Sequence, residues 1–176
     1  AAQLTQLFST HQIEKYYLAL SEAKPAKKQG WVKGDMTLAR RGAWKLLSSQ
    51  HNPAVTYFIS QGFAELPFRA FLVKPYSGKT HQIRVALKSV GAAIAGDTLY
   101  QAAAADRVYL HAYALALTLD GEALRFVCPP TQGSEFAVPA LADYLQHGGY
   151  DRQQQKPRRN GRYQQLCREL QLRYVF

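Results

Sequence analysis

The sequence predicts an α+β domain: an antiparallel-rich mixed sheet with a few helices. Two long stretches, residues 13–20 and 108–117, send successive side chains to opposite faces as strands do. Three further strand-like runs, at 43–49, 55–60 and 68–74, are separated by turn residues. One stretch has a helical period instead, with Ile83, Leu87 and Val90 at i, i+4 and i+7.

A chain of 176 residues with 47% hydrophobic content can bury one core, and that content argues against general disorder. No apolar run approaches a membrane span, and Ala1-Ala2-Gln3-Leu4 lacks the charged start and apolar core of a signal peptide. Cys128 and Cys167 have no metal-like spacing, so reduced thiols in the cytoplasm are expected. A net charge of +10 favours a polyanionic partner; taken alone it would suit an anionic membrane surface equally well.

Leu4, Leu7 and Phe8 share one helical face. The chain has no initiating methionine and opens inside this helix, so Ala1 is not expected to be the natural start. In the strand at 13–20, Lys15, Tyr17 and Ala19 share one face, and Tyr16, Leu18 and Leu20 the other. Residues 21–42 read as a polar connection in which Lys24, Lys27, Lys28, Lys33, Arg40 and Arg41 stand against Glu22 and Asp35, flanked by Trp31 and Trp44. Such a loop can hold nucleic acid by phosphate contact and stacking, or can be a solvated surface. The runs at 43–49, 55–60 and 68–74, with turns at His51-Asn52-Pro53 and around Gly62 and Pro67, suggest an antiparallel meander.

The densest run of special residues follows, from Pro75 to Leu87 and on to Gly91 and Ile94-Ala95-Gly96-Asp97. Pro75 breaks the preceding strand, Gly78 allows a tight turn, Thr80 can cap a helix and Gly91 can stop it. His81, Arg84 and Lys88 fall together on a face away from Ile83, Leu87 and Val90. With Lys79 beside it, this helix start attracts anions. In the strand at 108–117, Tyr109, His111, Tyr113 and Leu115 should point one way and Leu110, Ala112, Ala114 and Ala116 the other. Asp120-Gly121 marks a hairpin with a return strand at 124–127, ended by Cys128-Pro129-Pro130. A short helix at 139–146 has Pro139 at its first position and Gly148-Gly149 after its end. From Asp151 to Arg173 the chain carries seven basic and two acidic residues, a net +5 and half of the total charge. This is either an RNA-contacting extension or a docked helix with a charged outer face, its stripe formed by Tyr163, Leu166 and Leu170.

The central run admits three readings. It can be a buried amphipathic helix with a solvated basic face. It can be a phosphate-binding loop, since Gly78-Lys79-Thr80 matches the end of G-x-x-x-x-G-K-[ST]; but that motif's first glycine falls on Val73, and Pro75 removes a backbone donor. Third, Gly78-Lys79-Thr80-His81-Gln82-Ile83-Arg84 followed by Gly96-Asp97-x-x-Tyr100 resembles the G-[RK]-T-H-Q-I-R…G-D-x-x-Y pattern of RluA-type pseudouridine synthases. Lys15-x-Tyr17-x-Ala19 and Leu110-His111-Ala112 resemble two further elements of that family, so the resemblance covers roughly residues 1–145.

The resemblance implies the second part of a synthase catalytic domain over 1–147; the basic C-terminal extension at 148–176 is read from composition and matches no part of the family pattern. The resemblance also implies isomerisation of uridine to pseudouridine in ribosomal or transfer RNA, with no metal and no organic cofactor. Arg84 would face the nucleophilic aspartate, and Tyr17 would pack on the flipped base. Leu110 would wall the uridine pocket, and Lys15, Lys79 and His81 would be substrate-binding, the last two through RNA phosphate or sugar. Asp97 would be a turn-forming part of the pattern and not its nucleophile, and His111 would be structural. The family's nucleophile lies in H-R-L-D-x-x-[ST]-G, and that motif is absent from this sequence. The expectation is therefore a fragment of a longer synthase, inactive alone, whose strands at 13–20 or 68–74 lose neighbours and favour self-association. The alternative is a non-catalytic RNA-binding module on the same scaffold, discriminated by whether an H-R-L-D motif is encoded upstream. Ala86, where the family often has histidine, and Ala92-Ala93, in place of His-Pro, depart from the pattern and bear on subfamily and RNA target.

Overall fold

A six-stranded sheet in the order β2-β5-β6-β1-β7-β8 dominates a computed structural model that describes residues 2–10 and 12–146. Its strands are β1 (Glu14–Ser21), β2 (Gln29–Gly34), β5 (Ala54–Gly62), β6 (Arg69–Pro75), β7 (Leu110–Leu119) and β8 (Glu122–Val127). A separate ribbon pairs β3 (Met36–Leu38) with β4 (Trp44–Leu46). Helices α1 (Ala2–Ser9), α2 (Gln82–Ser89) and α3 (Pro139–Gln146) complete the α+β architecture. Every strand pairing among the described residues is antiparallel. The chain divides into two compact units, residues 1–130 and 131–176. Within the second, the described residues form a 3-10 turn at Ser134–Ala137 and then α3. The expected domain boundary at 147 and the basic extension beyond it lie outside the described residues.

The sheet's centre is where the apolar alternation is strongest. Leu18, Ala19 and Leu20 of β1, Phe58 and Ile59 of β5, and Phe71, Leu72 and Val73 of β6 are all buried, so both faces of these strands are covered. Strands 13–20 and 68–74 were expected to lie at edges, and the structure corrects this. β1 lies between β6 and β7, and β6 between β5 and β1, because β7 returns alongside β1. Among the described residues the outermost strands of the sheet are β2 and β8.

Two further expectations change. The connection at 21–42 contains a sheet strand, β2, paired with β5 from Gln29↔Ile59 to Gly34↔Ala54. Its two glycines and two polar residues hide the strand pattern, but an edge strand needs few apolar anchors. Val32 is buried, and Trp31 stacks on Tyr57 and Tyr76 with ring centroids 5.0 Å from each. The run at 43–49 does not join the meander. It folds back on β3 because Asp35 N–H donates to Ser49 O and Leu47 N–H to Asp35 O, while the Asp35 carboxylate accepts from His51 and Asn52 N–H. Along β7 the alternation breaks at a bulge: Tyr17 opposes Ala112 but Tyr16 opposes Ala114, leaving Tyr113 as the extra residue. Tyr113 and Ala114 are consequently both buried.

Backbone hydrogen bonds tie three segments at one end of the sheet. Leu20 N–H donates to Tyr109 O, Ala95 N–H to Leu20 O, and Tyr109 N–H to Ala95 O. This fixes the loop after α2 against the end of β1 and the approach to β7. Gly96 follows at φ 79°, and a Cβ there would overlap the Arg107 carbonyl. Gly91, at φ 83° in open space, ends α2 with Ala92 N–H bonded to Leu87 O. Gly91→Ala should therefore cost only the left-handed backbone penalty, about 1 kcal/mol. Gly96→Ala should cost roughly 2–4 kcal/mol, because backbone must shift as well. Urea unfolding midpoints of the two variants check the order.

Candidate active site

One face of the sheet carries the site. Antiparallel partners project on the same side, so Tyr17, its partners Val73 and Ala112, and the next pair on that side, Ala19 and Leu110, share a face. Phe58 opposes Val73, and Thr56 lies two residues earlier, which extends the face to β5. Helix α2 rests on this face. Gln82, buried at its first turn, donates from Nε2 to Val55 O at 2.9 Å and to Thr56 Oγ1 at 3.0 Å. Its Oε1 accepts from Ser77 Oγ at 2.7 Å and from Lys79 N–H at 3.0 Å. Ser77 Oγ in turn accepts from Val55 N–H. One amide thus joins the turn before the helix to the strand beneath it. Sequence reading passed over Gln82, although it stands inside the quoted motif.

The start of α2 differs from expectation. Thr80 is not its cap. His81 occupies the cap position in the left-handed conformation, φ 56°, with no side-chain capping bond. The Gln82 amide takes over the work of ordering the turn. The rest of α2 follows the expected pattern: Ile83, Leu87 and Val90 are buried, while Arg84 and Lys88 lie half-exposed.

The basic face meets the segment 97–101. Arg84 donates from Nε to Asp97 Oδ2 and from Nη2 to Asp97 Oδ1, both at 2.7 Å. The Asp97 side chain is 1% exposed and that of Arg84 21%. The Tyr100 ring lies against the guanidinium, 4.8 Å from its carbon. The phenol oxygen of Tyr100 accepts from Trp44 N–H at 3.0 Å and lies 3.0 Å from His81 Nδ1. Lys88 Nζ donates to Gln101 Oε1. Asp97, expected as a turn-forming residue, is thus also the partner of Arg84; the Gly-Asp-x-x-Tyr spacing held that signal.

The remaining sequence-selected residues are dispersed. Tyr17 is half-buried, and burial pushes its phenol pKa up. Leu110 begins β7 on the same face. Lys15 lies two residues before Tyr17 on β1, beyond the bulge, opposite Leu115. Lys79 donates from Nζ to Asn52 Oδ1 at 2.9 Å. His111 lies 2.7 Å from Cys128 O through Nε2, consistent with a structural histidine. Among the described residues no group of three or more His, Cys, Asp or Glu is placed to hold a metal ion. No helix among them is long and apolar enough to cross a membrane.

The sequence model for RNA pseudouridylate synthase matches residues 1–89. The chain belongs to that family. An RNA pseudouridine synthase of Haemophilus influenzae is 47% identical over 148 residues, which cover 83% of this chain and 66% of the relative. The dual-specificity RNA pseudouridine synthase RluA of Escherichia coli is 28% identical over 81% of this chain and 63% of its own. The chain thus spans less than two thirds of the length of either relative. The fold is shared with a solved structure of human RNA pseudouridylate synthase domain containing 1, at TM-score 0.63 and 23% identity, over 80% of this chain and 62% of that one. In this chain, Ala86 and Ala92 are both buried. The departures from the family pattern at these two positions therefore fall in the packed scaffold.

Two outcomes follow. Gln82→Leu keeps volume but strands buried groups on Thr56 and Val55, so it should lower stability by about 1–3 kcal/mol in urea unfolding. Burial first, and then the neighbouring Arg84 charge, hold the His81 pKa below its ordinary value, against an opposing pull from Asp97. Because the folded value lies below the unfolded one, this contribution to stability is complete above about pH 6.5 and is lost as pH falls through the folded value. An NMR titration should find the His81 midpoint below that of a free histidine, and Arg84→Gln should raise it.

Proposed function

We propose that this chain supplies the uridine pocket and RNA-binding surface of an RNA pseudouridine synthase. The observation that carries this reading is the held guanidinium of Arg84 on a helix seated over the sheet face that bears Tyr17 and Leu110. Isomerisation breaks the bond from N1 of uracil to C1′ of ribose, turns the base over and joins C5 to C1′. The base must first leave its stack and enter a pocket. Tyr17 would lie against the flipped base, with Leu110 as an apolar wall excluding water. Arg84 would present its fork to the attacking carboxylate, keeping it ionised and aimed, since a guanidinium lowers a carboxylate pKa and binds it bidentately. Lys15 would be substrate-binding, and Lys79 and His81 would meet RNA phosphate or sugar.

The attacking carboxylate is not supplied by an H-R-L-D motif within these 176 residues, because none is present. Asp97 does not substitute for it: both its oxygens are bonded to Arg84 and it is closed to solvent. A second reading is a non-catalytic RNA-binding module on the synthase scaffold, and whether an H-R-L-D motif is encoded upstream discriminates the two. Both readings take ribosomal or transfer RNA as the partner, in a reducing cytoplasmic setting that suits the exposed free thiol of Cys128.

The purified 176-residue chain should form no pseudouridine in uridine-containing RNA, and turnover would overturn the assignment of the nucleophile. It should bind RNA with log affinity falling by about 0.7 per phosphate contact for each unit of log salt. Removing residues 151–176, with their net +5, should flatten that slope. Salt-independent binding, or none, would contradict both readings.

A further inference from the structure

We propose that Asp97 and Tyr100 are positioning residues whose task is to fix the orientation of Arg84. The inference deepens the synthase reading, because it says how the proposed pocket holds its arginine. A surface arginine on a helix explores many rotamers, and ordering it costs side-chain entropy. Here three constraints remove that freedom. The Asp97 carboxylate takes the Nε and Nη2 edge with two equal bonds of 2.7 Å. The guanidinium carbon lies over the Tyr100 ring, 4.8 Å from its centroid. The phenol of Tyr100 is itself fixed, by Trp44 N–H from the small ribbon and by His81 at the head of α2.

The holder is built into the backbone. Asp97 follows Gly96, whose positive φ brings this loop against the Arg107 backbone where no Cβ fits. The loop is bonded through Ala95 to Leu20 at the end of β1 and to Tyr109 at the approach to β7. The strands that bear Tyr17 and Leu110 therefore also set the position of the carboxylate that aims Arg84. With Nε–H and one hydrogen of Nη2 committed, the end-on edge formed by Nη1 and the second Nη2 hydrogen is the part left to a second acceptor. Asp97 also offsets the charge of Arg84 locally, so what this arginine offers is direction more than net positive charge.

The test is NMR of arginine Nε–H groups in the 176-residue chain, without RNA. The Arg84 signal, assigned by its loss in Arg84→Lys, should exchange slowly with solvent. Asp97→Asn should speed its exchange about tenfold or more, the loss expected for a charged hydrogen bond, while backbone amides of the sheet keep their protection. Tyr100→Leu should also speed exchange and remove the ring-current shift, whereas Tyr100→Phe keeps both the ring and the protection. Unchanged Arg84 exchange in a folded Asp97→Asn chain would overturn the proposal. If that variant does not fold, unchanged exchange and chemical shift in Tyr100→Leu would overturn it. The measurement needs neither RNA nor turnover, so its failure is distinct from a failure of the synthase reading, which the salt dependence of RNA binding decides.

Discussion

A carboxylate closed to solvent must be paired, and the partner of Asp97 is the Arg84 fork. Much of the site is arranged around that requirement. The loop carrying Asp97 reaches its position only because Gly96 accepts a left-handed backbone, and it stays there through the bonds joining Ala95, Leu20 and Tyr109. Removing one partner of a buried pair costs about 3–5 kcal/mol, less where one member keeps solvent contact, as Arg84 does. Truncating Arg84 hollows no apolar core, yet it abandons a buried charge. A substitution that keeps a cation there is therefore the informative one.

β1 serves two networks at once because its neighbours face opposite ways. Tyr17 looks toward the face on which α2 sits. Tyr16, on the other side, donates to Glu14 at 2.8 Å, and Glu14 pairs with Lys74 at 2.9 Å. Lys74 lies over the rings of Tyr16 and Tyr76, 4.9 and 5.2 Å from their centroids. Burial pushes the Tyr16 pKa well up, reinforced by its bond to Glu14. Partial burial alone would raise the Glu14 carboxyl, but bonds from Lys74 and Tyr16 and the charges of Lys74 and Arg125 hold it below its ordinary value. The second network fixes β1 against β6, and so fixes the register that places Tyr17.

What the sequence disclosed follows from how local each signal is. The stripe Ile83, Leu87 and Val90, the stop at Gly91, the hairpin at Asp120-Gly121 and the central strands all express short-range periodicity or turn chemistry. The edge strand β2 was illegible because it buries little and pairs with residues far along the chain. The bulge at Tyr113 has no local mark, since it exists only relative to β1. For the candidate site, Arg84, Tyr17 and Leu110 are named by resemblance to a family pattern. The residues that hold the site, Gln82, Asp97 and Tyr100, work through side-chain contacts across 3 to 56 positions, which no periodicity reports. Thr80 looked like a cap because the side chain is suitable; the left-handed His81 beside it moved the helix start.

The central claim is that Arg84 aims the reacting carboxylate and does not anchor phosphate. Arg84→Lys tests it most directly in a protein that joins an H-R-L-D segment to this chain. Lysine keeps the charge and one bond to Asp97 but lacks the planar fork. The measurement is the single-turnover rate of pseudouridine formation at saturating RNA, beside RNA affinity over a salt series. The account predicts a rate lower by on the order of 100-fold, with affinity and salt slope close to those of the unsubstituted protein. A normal saturated rate would contradict it.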